Sequence, residues 1–217
     1  MEEFIIDQIK QHDTKLAVIY NDIEYNYNQL FLQIDLYYNI IKLQIRSGQT
    51  VSILSDYSFY SVALFFALYK NKNIIVPITS KIETEVKERL NIVNCNYSIL
   101  IENDVIKIEK LEEKNCNELI ERLIVENCSG LILFSSGSTG KPKAMIHNLD
   151  NFINSFKDKK SKNLVFLIFL MFDHIGGLNS LLNCISMGVT MVFPQTRNPE
   201  EICKLIEKYQ INILPAS

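Results

Sequence analysis

A nine-residue polar stretch, SSGSTGKPK at residues 135–143, is the feature that most limits how this chain can fold. It holds three serines, a threonine, two glycines and two lysines. The apolar run GLILF precedes it and the shorter run AMI follows it. Short apolar runs bounded by turn residues are typical of buried strands. The predicted local structure is therefore a strand, a polar loop and a second strand.

The composition of this loop is suited to holding an anion. Glycine allows the backbone to approach a ligand closely, and successive N–H groups in a tight turn favour phosphate. Hydroxyl and lysine side chains donate to the same oxygens. A plain linker is disfavoured because linkers are not usually flanked by buried strands. A Walker A loop is excluded, because only two residues separate Gly137 from Gly140 and Pro142 follows the Gly–Lys pair.

The order of residues in the loop resembles the phosphate-binding signature of the adenylate-forming superfamily. That superfamily contains acyl- and aryl-CoA synthetases, the adenylation domains of peptide synthetases, and luciferases. Lys143 holds the position of the family's invariant lysine, and Lys141 is the second choice. The resemblance implies that these residues bind the phosphates of ATP: Ser135, Ser136, Gly137, Ser138, Thr139, Gly140 and Lys143.

A second cluster follows the apolar run at residues 164–172, which is predicted to be one buried strand. In open α/β sheets, ligands collect beyond the carboxyl ends of strands. The sequence FDHIGGL at residues 172–178 resembles the His-x-x-Gly-Leu segment of acyl- and aryl-CoA synthetases. The resemblance implies an acyl pocket formed by His174, Asp173, Gly176 and Gly177. Asp173 departs from the aromatic residue common there and is also similar to the aspartate with which amino-acid-activating members bind the substrate amino group.

The rest of the chain alternates short apolar strands with amphipathic helices, which indicates βαβ units. The expected fold class is α/β, with layered, largely parallel sheets flanked by helices, as in the large N-terminal domain of adenylate-forming enzymes. An apolar helix is expected from about Asn179, after a glycine turn, and a last strand at residues 211–214. Residues 102–127 are expected to be charged surface with weak helical spacing, and His12 is expected to be exposed.

The resemblance implies a two-step reaction, in which a carboxylic acid and ATP give an acyl-adenylate and a thiol then displaces AMP. The implied cofactors are ATP and Mg²⁺, and the implied acceptor is CoA or the phosphopantetheine arm of a carrier protein. The acid stays open between fatty, aryl and amino acids, and a nucleotide-binding module without turnover is the remaining alternative.

Later motifs of the superfamily, including its catalytic lysine, are not found in residues 1–217. We therefore expect the chain to be the N-terminal part of the large AMP-binding domain, without the C-terminal catalytic-lysine domain. On this expectation the catalytic residues lie beyond residue 217, and the chain alone is inactive.

Composition narrows the function classes. The chain has 217 residues, 47% hydrophobic and 22% charged, with a net charge of −3 and no basic stripe, which disfavours nucleic acid as a partner. The five cysteines form no C-x-x-C pair, so reduced, mostly buried thiols are expected, with no metal-ligating set. The acidic N-terminus lacks a signal-peptide pattern and no apolar run is long enough to span a bilayer. A cytoplasmic enzyme is expected.

Overall fold

The computed structural model describes residues 4–102, 104–112, 117–136 and 142–215, which form an α/β fold with two sheets. The strands are β1 (Leu16–Tyr20), β2 (Ile23–Asn26), β3 (Thr50–Leu54), β4 (Ile74–Ile78), β5 (Tyr97–Glu102), β6 (Val105–Lys110), β7 (Gly130–Ser136), β8 (Pro142–Asn148), β9 (Val165–Leu167) and β10 (Thr190–Phe193). The helices are α1 (Phe4–His12), α2 (Tyr27–Gln44), α3 (Phe59–Lys70), α4 (Glu83–Ile92), α5 (Glu118–Val125), α6 (Leu149–Asn154), α7 (Ile175–Met187) and α8 (Pro199–Tyr209).

Both sheets are mainly parallel, with one antiparallel edge in the smaller sheet and two in the larger one. The smaller sheet has the order β2-β1-β10-β9, in which only the β1–β2 hairpin is antiparallel. The larger sheet has the order β6-β5-β3-β4-β7-β8, with parallel pairing around β3 and β4 and antiparallel hairpins at both edges. The expected fold class, layered and largely parallel sheets flanked by helices, is confirmed.

Helix α3 lies at the centre of the fold. It packs against β3 and β4 of the larger sheet and against β1 of the smaller one. This placement explains why it is apolar on nearly every face, with ten of its twelve residues buried. Ser58 caps it by accepting the backbone N–H of Ser61, whose side chain accepts the backbone N–H of Ser58 in return.

Strand β4 includes Pro77 and continues to Ile78. Proline has no N–H to donate to a neighbouring strand. Pro77 lies in register with Ile53 of β3, whereas on its other side β4 pairs with β7 only at Ile74 and Ile75. The proline is therefore tolerated because β7 has already separated from β4 at that point.

The prediction of one long strand at residues 164–172 was wrong. The strand β9 is only three residues long, although Ile168 still donates its N–H to the carbonyl of Val192. Beyond it the chain becomes a loop, and Phe172 is buried against the rings of Phe65 and Tyr57 instead of in a sheet. Residues 164–172 are apolar because they are mostly buried, and an apolar run does not distinguish a buried strand from a buried loop.

Three smaller expectations also need correction. Residues 102–127 contain the edge strand β6 in addition to α5, and residues 211–214 form a single bridge, between Phe166 and Ile213. His12 is half-buried, with its ring 5.0 Å from that of Tyr27 and against Gly188, where burial lowers the pKa of its imidazole. Gly188 ends α7 with a positive φ of 61°, as expected of a helix-closing glycine.

Of the four cysteines in the described ranges, Cys95 and Cys184 are buried free thiols, Cys128 is half-buried and Cys203 is exposed. Burial raises the pKa of Cys95 to about 11 and keeps its thiol protonated. Within the residues that the structure describes, no helix has the length and apolar character needed to cross a membrane.

Candidate functional site

The two flanks of the polar loop lie side by side on the β7–β8 hairpin. Ser135 is in register with Lys143, and Ser136 is in register with Pro142. The two predicted flanking strands are thus confirmed. The Lys143 side chain is exposed, and Ser135 is half-buried. Gly137, Ser138, Thr139, Gly140 and Lys141 lie outside the described residues.

The loop at residues 169–172, which leads into the predicted acyl-pocket segment, is held from both sheets. The carbonyl of Phe169 accepts a hydrogen bond from Nε of Arg197 at 2.5 Å, and the N–H of Phe172 donates to Oδ1 of Asp56 at 3.2 Å. Arg197 and Asp56 are themselves joined by an ion pair of 2.6 Å. Because Asp56 follows β3 and Arg197 follows β10, residues 169–172 are fixed between the ends of the two sheets.

The two glycines stand in the first turn of α7, which begins at Ile175 rather than near Asn179 as predicted. A Cβ at Gly177 would lie 2.1 Å from the carbonyl oxygen of Met171, so the helix approaches the preceding loop too closely for any other residue. A Cβ at Gly176 would meet only the Leu170 side chain, at 2.8 Å. Gly177 therefore sets the distance between α7 and the loop.

His174 and Asp173 differ sharply in environment. His174 is the N-cap residue of α7, is exposed, and makes no side-chain capping hydrogen bond. Asp173 is only 13% exposed and forms a 3.0 Å ion pair between its Oδ2 and Nη1 of Arg89. The same carboxylate oxygen accepts the backbone N–H of Thr79 at 3.3 Å.

Arg89 also connects this segment to the phosphate-loop hairpin. Its guanidinium lies 5.4 Å from the ring centroid of Phe134, within the range of a cation–π contact. Phe134 immediately precedes Ser135 on β7, and Asp173 immediately precedes His174. The two segments that the sequence singled out are thus neighbours, joined through one arginine.

Sequence reasoning missed Arg89, Asp56 and Arg197. Each lies far along the chain from its partner, by 84 residues for Arg89 and Asp173 and by 141 for Arg197 and Asp56. Arg89 belongs to a charged surface helix whose composition gives no sign of an inward-facing residue. Only the fold brings these groups to the site.

A cleft of about 1020 Å³ opens beside the segment. The carboxyl ends of β3, β4 and β5 line it from one sheet, and residues that end or follow β1 and β10 line it from the other. Asp56 and Thr79, which bind residues 172 and 173, are part of its wall. Such an edge is where open α/β folds collect ligands.

Comparison with known proteins gives a consistent result. The family model described as AMP-binding enzyme matches residues 5–217. A 2-succinylbenzoate–CoA ligase of Bacillus pumilus is 23% identical over 219 residues, covering 92% of this chain and 45% of the relative. The chain therefore spans about half the length of the curated relatives it matches.

Solved structures show the same fold. The Klebsiella oxytoca NpsA N-terminal subdomain in complex with 3-hydroxyanthranilyl-AMSN has a TM-score of 0.80 at 18% identity, covering 98% of this chain and 58% of that one. The o-succinylbenzoate CoA synthetase MenE of Bacillus subtilis, in complex with the acyl-adenylate intermediate OSB-AMP, has a TM-score of 0.76 at 18% identity, covering 100% and 62%. With the family model matching nearly its whole length, the chain belongs to the AMP-binding enzyme family.

Proposed function

We propose that this chain takes part in the ATP-dependent activation of a carboxylic acid to an acyl-adenylate, followed by transfer of the acyl group to a thiol. In this proposal the chain supplies the N-terminal part of the large AMP-binding domain. The observation that carries the proposal is the junction at Arg89, through which the end of β7 and the Asp173–His174 pair become neighbours. A phosphate-binding loop and an acid-binding segment must be adjacent for a carboxylate to reach a phosphorus atom.

The first step has simple requirements. An oxygen of the carboxylate attacks the α-phosphorus of ATP, the bond to the bridging oxygen breaks, and pyrophosphate leaves. In-line positioning and neutralisation of the phosphate charge dominate such a reaction. The proposed role of residues 135–140 is to bind the β- and γ-phosphates by backbone N–H and hydroxyl donors, with the exposed Lys143 side chain adding positive charge.

Mg²⁺ is proposed to arrive with the ATP phosphates. Among the described residues no cluster of three His, Cys, Asp or Glu side chains stands ready to hold a metal ion. Magnesium in nucleotide enzymes commonly keeps several waters and binds through substrate phosphates. Its contribution would be to neutralise charge on the departing pyrophosphate.

The names of the relatives support a carboxylic acid as the substrate and a thiol as the acceptor. The Bacillus pumilus relative is a CoA ligase, and the Bacillus subtilis structure holds an acyl-adenylate. We propose CoA or a carrier-protein phosphopantetheine as the acceptor in the second step. The exposed His174, at the N-terminus of α7, is proposed to border the acid and the path of the thiol. Gly176 and Gly177 are proposed to position it by letting α7 pack closely against residues 170 and 171.

Acid-dependent exchange of labelled pyrophosphate into ATP tests the proposal, because exchange requires a reversible adenylation step. The protein that carries these residues is assayed with a panel of fatty, aryl and amino acids. Exchange that depends on one class of acid is the expected result. ATP hydrolysis to ADP, or exchange that is independent of every acid, would contradict the proposal.

The role of Lys143 has its own test. Lys143→Ala should weaken ATP binding about ten- to a hundredfold, because charge-assisted hydrogen bonds contribute roughly 1.5–3 kcal/mol. AMP binding should change little, since AMP lacks the β- and γ-phosphates. Lys160→Ala, in the exposed basic turn after α6, is the matched control and should leave both affinities unchanged. Equal losses for ATP and AMP would show that Lys143 acts elsewhere.

A further inference from the structure

Within the described residues, two carboxylates lie at the predicted acyl-pocket segment, residues 172–178: Asp173 belongs to it and Asp56 binds its first residue. Both are paired with arginine. Asp173 is bound to Arg89 at 3.0 Å, and Asp56 is bound to Arg197 at 2.6 Å. Asp56 is further occupied at Oδ1 by the N–H groups of Tyr57 and Phe172. The negative charge of each carboxylate is therefore already balanced by a guanidinium.

The Arg89–Asp173 pair is well enclosed. The side chains of Arg89 and Asp173 are 22% and 13% exposed, in contrast to 68% and 80% for the Lys87–Glu83 pair on the same helix. Arg89 is held on its second side by the ring of Phe134, and Asp173 is held by the N–H of Thr79. An enclosed pair with additional partners resists separation, because removing either charge leaves the other unpaired in a poorly solvated position.

We propose that Arg89 is a positioning residue that keeps Asp173 from binding substrate, and that the site therefore takes a carboxylic acid with no ammonium group beside its carboxylate. This inference rests on the proposed adenylation function and names its substrate class. A buried ammonium group is costly unless a carboxylate pairs with it. An ammonium group at Asp173 would share its single negative charge with Arg89, and one positive charge would then stay uncompensated in a poorly solvated position.

The pairing also gives Arg89 a mechanical role. Arg89 contacts both Asp173, which precedes His174, and Phe134, which precedes Ser135. It therefore keeps the distance between the acid and the phosphates constant. Loss of the pair should therefore affect use of the acid more than use of ATP.

The first experiment compares matched acids in the pyrophosphate exchange assay with the full protein that carries this chain. Each pair has one amino acid and its analogue without the amino group, such as L-phenylalanine with 3-phenylpropanoate and norleucine with hexanoate. Within any pair that supports exchange, the amino acid should be used at least about 100-fold less well, the penalty for an uncompensated charge. Preferred use of the amino acids would overturn this inference and leave adenylation standing. Failure of every acid would overturn the proposed function and, with it, this inference.

The second experiment asks whether Arg89 sets the preference. Arg89→Gln should raise KM for the acid about tenfold and leave KM for ATP within about twofold. The ratio of exchange with the unsubstituted acid to exchange with its amino acid should fall about tenfold, which is the effect of one charge-assisted contact. Arg89→Lys should largely restore the wild-type values. Asp173→Asn should keep the full discrimination, alone and combined with Arg89→Gln, because no carboxylate is then released.

Arg122→Gln is the matched control, since Arg122 on α5 forms an exposed ion pair with Glu126, the residue after that helix. It should behave as wild type in all assays. An unchanged preference in Arg89→Gln, or a loss of discrimination in Asp173→Asn, would overturn the role assigned to Arg89. If Arg89→Gln does not fold, the wild-type panel, Arg89→Lys and Asp173→Asn still decide, because a substrate-binding Asp173 predicts loss of amino-acid use in Asp173→Asn.

Discussion

Replacing Gly177 with alanine tests whether α7 and the preceding loop are packed as closely as the structure indicates. The added Cβ would lie 2.1 Å from the Met171 oxygen, whereas ordinary contact begins at 3.4 Å. The difference, 3.4 minus 2.1, requires a shift of about 1.3 Å. Its nearest neighbours are all backbone atoms, of Met171 and Leu170, so no side-chain rotation relieves the contact.

The magnitude follows from two opposing terms. Overpacking costs roughly 1–3 kcal/mol, and a backbone clash belongs at the upper end of that range. Alanine in place of glycine returns up to about 1 kcal/mol through helix propensity. The expected net loss is about 2 kcal/mol in the free energy of unfolding, which lowers Tm by about 4–8 °C for a protein of this size.

Urea and thermal unfolding of Gly177→Ala and Gly176→Ala provide the assay. Gly176→Ala is the control on the same turn, because its Cβ meets the flexible end of the Leu170 side chain. Its stability should be unchanged or should rise by up to about 1 kcal/mol. Equal stability of the two variants would refute the close approach at Gly177.

Two further predictions concern stability elsewhere. Burial, followed by the charge of Lys15, lowers the pKa of His12 below its usual 6.5; the unfolded chain therefore takes up the proton first, and stability should fall as pH falls through 6.5. In His12→Gln, Tm should depend less on pH around and below 6.5 than in the wild type. An identical slope of Tm against pH would show that His12 does not cause the effect. Asp150 accepts the N–H of Ser129 at 2.6 Å and Nζ of Lys72 at 2.9 Å, so Asp150→Ala should cost roughly 2–3 kcal/mol in urea unfolding. A loss below about 0.5 kcal/mol, as for an ordinary surface change, would show that this network does not anchor α6.

Local sequence patterns were sufficient for most elements of the fold. Asn198 followed by Pro199 is a local pattern typical of a helix start, and α8 begins there; Gly188 is typical of a helix end, and α7 ends there. Residues 59–69 are apolar on nearly every face, a pattern typical of a helix buried on more than one side, and they lie in α3. These signals are local, since caps and periodicity depend on residues within one or two turns.

The errors arose where tertiary contacts decide the backbone. At residues 168–172 the sequence is apolar enough for a strand, but Arg197 and Asp56 take up the backbone groups of Phe169 and Phe172. Strand β6 was missed although Ile106 and Ile108 alternate with charged residues, because charge dominated the surrounding stretch. The motifs predicted which segments form the candidate site, whereas the ion pair that joins them depends on the fold.

Activation of the acid as an acyl-adenylate can be tested by following one oxygen atom. The protein that carries this chain is incubated with ATP, a thiol acceptor and a carboxylic acid labelled with ¹⁸O in its carboxylate. The attacking oxygen becomes bonded to the α-phosphorus and stays there when the thiol bonds to the acyl carbon and AMP leaves. One ¹⁸O atom is expected in the released AMP, measured by mass spectrometry. Label in inorganic phosphate with ADP as the other product, or AMP without label, would contradict activation as an acyl-adenylate.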